Sequence, residues 1–508
     1  MKNNSIKKNL FAESLADSKE FTLTYELVPG QGAGGKKIDR LLEFARQAKI
    51  DGRITALSVT DNAGGHPALA PVAIGSEIQK IGLEPLIHFS LKDKNRNQIE
   101  SHLFLYQRQQ FRNLLILGGD FPKNTYFGQA KPVYDLDSIQ TIQLVERMKA
   151  GDYRYLQKDN TLVPPFDLQC GCVVSPFKKT EAEQVWQYAK LLKKIRAGAH
   201  FIITQLGYDL KKYEELILFL KKQRIRIPVL ANVFIPSPGV AKFMANGGVP
   251  GVMLAPELAE TMQREGKEKR LLRAAGMTAA LRHLGFAGIH LGGNGLSFND
   301  VDFVLDQAQQ FFELGTFDWK NLHFPIAGCW YLYQNDGTNQ PLNPGTQPGS
   351  KPLHHIAHQL FFSKTSPLSR VFARFCIFCD SSAAARKLLV FGERVIKEIL
   401  FNCRMCGDCT LSESTYLCPQ SGCPKKLING PCGGSSGGAC EVFPERLCFF
   451  VRVYQRLDRK TTLTGLADTP ILPPKDWSLE RASSWINYFK GNDHTGHSKG
   501  KERKKKVE

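Results

Sequence analysis

The chain has 508 residues, 42% of them hydrophobic and 23% charged, which is ordinary globular composition with room for a large core and more than one domain. No apolar run approaches the roughly 18 residues of a membrane span, and the polar start Met1-Lys2-Asn3-Asn4-Ser5 has no signal-peptide core, so the expectation is a cytoplasmic protein without a membrane span. The net charge of +19 would suit nucleic acid, but much of the excess lies in Lys499 to Lys506 and in helix-like runs such as Lys190 to Arg196; these read as solvated faces and as attraction for an anionic small ligand.

The first clear element is Phe21 to Val28, where Phe21, Leu23, Tyr25 and Leu27 alternate with Thr22, Thr24, Glu26 and Val28, the period of a strand. Glu26 stands near its end, just before the breaker run Pro29 to Gly35, sharing a face with threonines. A carboxyl there is poorly placed for packing and well placed for proton transfer; an edge-strand glutamate facing water is the plain alternative. Further strand-like runs follow at Thr55 to Thr60, Glu84 to Ser90, Asn113 to Leu117, Leu168 to Val174, His200 to Gln205, Pro228 to Ile235 and Ala287 to Leu291. Most are about 30 residues apart, with helix-like stretches such as Asp39 to Ile50 and Glu181 to Ala197 between them, which is the βα repeat. The two longer intervals read as a loop, Pro122 to Pro165, and as extra helices, Pro238 to Leu284. Eight units predict a (β/α)8 TIM barrel, with a doubly wound open sheet as the alternative.

A barrel places its chemistry at the C-terminal ends of the strands. The polar residues there are Glu26, Thr60-Asp61-Asn62, His88, Gly118-Gly119-Asp120, Thr204-Gln205 and Gly292-Gly293-Asn294. Asp61 and Asn294 alone would read as helix-capping loop residues; the convergence of all six sets on one rim points to a site.

After Asn335 to Pro352, rich in Asn, Gly, Pro and Gln, comes a helical segment, Ala383 to Phe401. Eight of the thirteen cysteines then fall at Cys403, Cys406, Cys409, Cys418, Cys423, Cys432, Cys440 and Cys448. Without a signal peptide this spacing indicates metal rather than disulfides: two [4Fe-4S] clusters, two structural zinc ions, or free thiols. Cys170 and Cys172 read as buried packing residues, and so do Cys376 and Cys379, whose C-x2-C spacing leaves metal ligation as the alternative. The expected domains are an N-terminal segment (1–20), the barrel (21–315), a linker and helical connector (316–402), a cysteine-rich metal-binding domain (403–460) and a basic, mobile tail (461–508).

Tyr25-Glu26-Leu27-Val28-Pro29, Leu115 to Asp120 and Ala197 to Gln205 together resemble the methylenetetrahydrofolate reductase family over roughly residues 10 to 315. The resemblance implies a flavoprotein of one-carbon metabolism and methionine biosynthesis that reduces 5,10-methylenetetrahydrofolate to 5-methyltetrahydrofolate with bound FAD, or FMN. It assigns Glu26 as general acid, Asp120 as the carboxylate near flavin and pterin, and Gln205 as a folate-contacting amide. Thr60, His88, Gly118, Gly119, Asp120 and Tyr134 match flavin contacts, and Lys193 and Lys194 match phosphate-binding side chains, with a solvated lysine pair as their alternative. The chain departs from the family where Gly118 replaces an arginine of many members and where Ser175 to Lys179 replaces a Tyr-Pro-x-x-His-like segment. The run from Asn429 to Gly434 resembles the C-terminal domain, or separate small subunit, of the anaerobic reductases. The implied electron donor is NAD(P)H or a ferredoxin-like protein, with a partner subunit as a further possibility. A pterin-binding barrel with a zinc-stabilised interaction domain, assisting another protein, is the reading from a different class.

Overall fold

The structure, a computed structural model, describes residues 8–151, 167–333, 352–458 and 460–497. Two compact units emerge: Met1–Asn343 with Cys432–Arg446, and Pro344–Pro431 with Leu447–Glu508. Among the described residues no helix is long and apolar enough to cross a membrane.

The first unit is a closed barrel of eight parallel strands: β1 (Thr22–Leu27), β2 (Ile54–Val59), β3 (Glu84–Ser90), β4 (Asn113–Leu117), β5 (Gln169–Val174), β6 (Phe201–Thr204), β7 (Val229–Ile235) and β8 (Gly288–Gly293). Each pairs with its sequence neighbours, and β8 closes on β1 with Leu23 opposite Ile289 and Tyr25 opposite Leu291. All eight lie within two residues of the expected runs, and the open-sheet alternative is excluded by closure. The outer face of β1 packs on the helix layer, where Tyr25 stacks on Phe44 of the helix Lys36–Asp51 with ring centroids 4.2 Å apart.

Inside the barrel, alternate residues form layers. The lowest is dry: Ala56, Leu86, Leu115, Phe201, Ile203 and Leu230 cluster with Phe11. Phe11 belongs to α1 (Leu10–Ala16), a helix within what the sequence suggests is only an N-terminal segment. This helix plugs the N-terminal end of the barrel. Phe11 meets Phe201 edge to face at 5.2 Å, Asn9 bonds Asn113 side chain to side chain at 2.8 Å, and Ser14 bonds Thr22 at 2.8 Å.

Three expectations about organisation change. The interval 122–165 holds a helix, Ser138–Lys149, started by a capping box in which Asp137 and Gln140 each bond the other's backbone; residues 152–166 lie outside the description. Most of 461–497 is folded, with helices Leu463–Asp468, Ser484–Lys490 and His494–His497. The cysteine-rich domain is divided, because Cys432–Arg446 belongs to the barrel unit. The buried Lys178 ammonium donates to Gly433 O at 2.6 Å and Ser435 O at 2.5 Å, and Gln187 Nε2 donates to Cys432 O at 2.8 Å. Most of the linker from Asn335 to Pro352, and residues 498–508 of the tail, lie outside the described residues.

Phe11→Ala removes the plug's aromatic anchor. It is expected to cost about 3–5 kcal/mol, read as an earlier urea transition of the barrel unit.

Candidate active site at the barrel mouth and a cysteine cavity

Two residues above the dry layer, the inward positions turn polar. Ala56 is followed by Ser58, Leu86 by His88 and Leu230 by Asn232, while β1 contributes Thr24 and β8 contributes His290. All five are buried or half-buried. His290 gathers this layer: its Nδ1 lies 2.9 Å from Thr24 Oγ1 and its Nε2 lies 3.4 Å from Ser58 Oγ. The His88 and His290 rings are 5.9 Å apart.

One step higher stands Glu26, its side chain 20% exposed, with Oε2 3.6 Å from His290 Nε2. Beside it Gly292 leaves room, since a Cβ there would meet Phe234 at 3.2 Å and the Glu26 Cβ at 3.5 Å. Glu26 therefore faces the barrel axis and not bulk water, which removes the edge-strand alternative.

The protonation states differ from the simplest expectation. Burial depresses the His88 imidazole to about 4, leaving it neutral at physiological pH. Burial alone would raise the Glu26 pKa, but contact with His290 and the charges of His88 and His290 hold its carboxyl below the usual carboxylate range. Near neutrality His88 carries no charge, so its contribution falls away there. Partial burial therefore does not by itself keep Glu26 protonated.

The rim residues fall into place unevenly. Asp120 Oδ2 accepts from the Gly64 amide at 2.8 Å, and the Tyr134 hydroxyl donates toward Gly119 O and Asp120 O at 3.2 and 3.3 Å. Gly119 takes a left-handed φ of 79°, and a Cβ there would stand 2.0 Å from Ser90 Oγ, so only glycine fits. A Cβ at Gly118 would meet no atom within 4 Å. Thr60 is buried and its amide donates to Leu27 O at 3.1 Å. Gln205 follows β6, its Oε1 accepting from the Leu206 amide at 3.0 Å. Asp61 is not a helix cap: it ties the ends of two strands, accepting from the Ser90 amide at 3.1 Å and from Lys94 at 2.7 Å.

Lys193 and Lys194 are neither a solvated pair nor at the mouth. Both lie on the helix Glu181–Arg196, where burial lowers each to about 8. The Lys194 ammonium donates to Val173 O at 2.5 Å in the layer between helix and sheet, facing Cys172.

Two buried polar atoms of the mouth, His88 Nε2 and Asn232 Oδ1, have no hydrogen-bond partner. These unused hydrogen-bonding atoms, and separately the glycine-only backbone at Gly119, suit the polar edge of a flat heteroaromatic ring such as a flavin. Glu26, His88 and His290 also bring three ligand atoms within 4.8 Å of one another.

In the second unit, Cys403, Cys406, Cys409 and Cys418 line one cavity with Glu393, Lys397 and Ser484. The Met405 amide donates to Cys403 Sγ at 3.3 Å. Lys397 is buried and bonded to Glu393 at 2.8 Å and to Ser484 Oγ. Burial works against its charge, but the Cys409 thiol and the Glu393 carboxylate outweigh that and raise its pKa. Burial likewise pushes the Cys403 thiol up to about 11. Four cysteines lining one cavity beside a fixed cation and a backbone N–H donor fit an anionic thiolate-bound metal centre. Of the other expected ligands, Cys423 and Cys448 belong to this unit and Cys432 and Cys440 to the barrel unit. Cys376 and Cys379 are buried with Leu389 and Ile486, and Cys170 and Cys172 are buried in β5, all as packing residues.

Sequence reasoning missed His290. Its only signal was parity, since His290 shares the inward face of β8 with Gly292.

A family model described as methylenetetrahydrofolate reductase matches residues 11–286, and one described as methylene-tetrahydrofolate reductase C terminal matches residues 382–478. A Caenorhabditis elegans protein named probable methylenetetrahydrofolate reductase (NADPH) is 23% identical over 228 residues, 44% of this chain and 31% of that protein. Methylenetetrahydrofolate reductase (NADH) 1 of Arabidopsis thaliana is 23% identical over 278 residues, 52% of this chain and 43% of its own. The matches thus span less than half the length of these curated relatives. A solved Clostridium thermocellum structure, described as an uncharacterized protein that binds two copies of 5-methyl-5,6,7,8-tetrahydrofolic acid, aligns with a TM-score of 0.42 at 13% identity, over 58% of this chain and 95% of that one.

The neutral, buried His88 sets a pH dependence. Its folded pKa of about 4 lies below the unfolded value of about 6.5, so as pH falls between the two the unfolded chain takes up a proton that the native barrel refuses. Wild type should lose up to about 3 kcal/mol of barrel stability across that window. His88→Gln should lack this increment, as checked by comparing urea midpoints of both proteins at pH values near 7 and near 5.

Proposed function

Because the chain belongs to the methylenetetrahydrofolate reductase family, we propose that its barrel reduces 5,10-methylenetetrahydrofolate to 5-methyltetrahydrofolate, with Glu26 delivering the proton that opens the five-membered ring. The observation that carries this reading is the Glu26 carboxyl, turned onto the barrel axis at the end of β1 within 3.6 Å of His290. Ring opening needs a proton at the departing nitrogen, and a carboxyl at the mouth, partly shielded from water, is the group within reach. The cation that results on the substrate is stabilised by negative charge on Asp120, whose orientation the Gly64 amide fixes. Gln205, on the same rim, is assigned to hold the pterin.

A bound flavin, FAD or FMN, would supply the hydride. The residues that would hold it are His88 through its unpaired Nε2, the Gly118-Gly119 backbone, Thr60 and Tyr134. Their part is to seat and orient the ring system against the folate and to exclude water. Lys193 and Lys194, in the helix layer, are left out of this assignment.

The cysteine cavity is assigned to a [4Fe-4S] cluster on Cys403, Cys406, Cys409 and Cys418, which would pass single electrons from a ferredoxin-like carrier or a partner subunit. The +19 charge would favour an acidic carrier. The competing assignment is structural zinc, with a nicotinamide as direct donor, the class of donor named for the two relatives.

Glu26→Gln should retain flavin binding and reduction while the folate half-reaction, followed as flavin absorbance in stopped flow, slows by about 10²-fold or more. Near-normal folate turnover in that variant would remove Glu26 from the role. For the cysteine cavity, anaerobically purified protein should contain iron and show broad visible absorption that Cys406→Ser diminishes. Zinc without iron, and full nicotinamide-driven turnover in both proteins, would make the domain structural.

A further inference from the structure

We propose that Lys397 and Lys475 are the fixed counter-charges of the centre held by Cys403, Cys406, Cys409 and Cys418, and that with Glu393 they set its reduction potential. The inference rests on the reading of that cavity as an iron-sulfur site.

Four thiolates leave such a centre negative in both oxidation states, and one charge more negative once it has taken up an electron. In a protein interior that charge is costly unless opposite charge stands nearby, and the cost is larger for the reduced state. A fixed cation therefore raises the reduction potential, and a fixed anion lowers it. The electron comes from the one-electron carrier, and no proton has to move.

Both lysines are buried, so water screens them little. Lys397 lines the cavity itself. It stands one turn beyond Glu393 on the helix Ala383–Phe401, and its ammonium is anchored to Glu393 Oε1 at 2.8 Å and to Ser484 Oγ. With these bonds made, it acts on the sulfurs through its charge. Against the cost of burial, the Cys409 thiol and, less strongly, that of Cys403 favour the charged form of Lys397. Lys475 serves the middle cysteine. Its ammonium donates to Asp408 O, and its charge opposes the rise that burial imposes on the Cys406 thiol.

Glu393 is the opposing charge. It is fully buried and accepts from Ser483 Oγ at 2.5 Å, from Ser484 Oγ at 2.7 Å, from the Ser484 amide at 3.1 Å and from Lys397. Four donors around one carboxyl are the setting of an ionised carboxylate.

Lys475, Ser483 and Ser484 come from a segment, residues 475–494, that packs on the cysteine loop backbone to backbone. The Arg481 amide donates to Met405 O at 2.8 Å, and Asn487 Nδ2 donates to Gly407 O at 2.8 Å. Gly407 takes a left-handed φ of 73°, and a Cβ there would stand 1.8 Å from Leu479 O. The charges are therefore held at fixed positions relative to the loop. Of the other charged groups in the loop, Asp408 Oδ1 lies 2.6 Å from His494 Nδ1, and Arg404 is exposed to solvent, which screens it.

The test uses the full chain, purified anaerobically and titrated with dithionite while the electron paramagnetic resonance signal that Cys406→Ser diminishes is followed. Lys397→Met and Lys475→Met should each shift the midpoint to lower potential, and Glu393→Gln should shift it higher, with iron and sulfide content near wild type. Opposite shifts from the two members of one hydrogen-bonded pair are the signature of charge, because a merely structural role moves both the same way or neither. Where methionine costs the protein its iron, Lys397→Arg and Lys475→Arg keep the charge and should retain iron and a midpoint close to wild type. Unmoved midpoints in iron-loaded methionine variants, shifts of one sign in Lys397→Met and Glu393→Gln, or loss of iron in the arginine variants overturns the proposal. Wild-type protein that holds zinc and no iron overturns the reading of the cavity itself, and this proposal with it.

Discussion

In a closed parallel barrel the side chains at alternate positions can point only at the axis, so a two-residue step along any strand moves from one shared layer to the next. Here the step from Ala56, Leu86 and Leu230 to Ser58, His88 and Asn232 crosses from a dry layer to a polar one. The dry layer is complete only because α1 inserts Phe11 from below. With the bottom sealed, the polar layer opens in one direction, and every group above it, including Glu26, is oriented toward the same mouth.

Burying polar groups costs free energy unless they find partners, and the partners chosen here define the chemistry. His290 reconciles Thr24 on one side with Glu26 on the other. His88 and Asn232 each keep a buried atom without a hydrogen-bond partner. The buried ions are closed off: Lys397 sits against Glu393, Lys178 against two carbonyl oxygens, and Lys94 against Asp61. The distinction separates ions that hold the fold from polar atoms free to engage a ligand.

Glu26 and His88 could be picked out in sequence because each stands on the polar side of a strand whose alternation is unambiguous. His290 could not, since Gly288-Ile289-His290-Leu291-Gly292-Gly293 is a short apolar run whose inward side is set only when β8 pairs with β1 and β7. Asp61 misleads in the opposite way. Next to a turn it resembles a helix cap, yet its partners, Ser90 and Lys94, lie about thirty residues along the chain. For Lys193 and Lys194, motif position suggested a ligand contact, but their helix is buried along nearly its whole length and its lysines must satisfy themselves within the layer.

By itself the sequence determined the eight strands, their order and the rim on which chemistry could lie, because strand period, turn residues and βα spacing are local and repeat eight times. The tertiary structure alone decided that residues 10–16 plug the barrel, that Cys432–Arg446 joins the barrel through Lys178 while Cys403, Cys406, Cys409 and Cys418 share a cavity elsewhere, and that Glu26 is governed by His290. Each of these depends on atoms brought together from distant parts of the chain. The charge of a carboxyl depends on which groups surround it once water has been displaced, and chain closure sets that company.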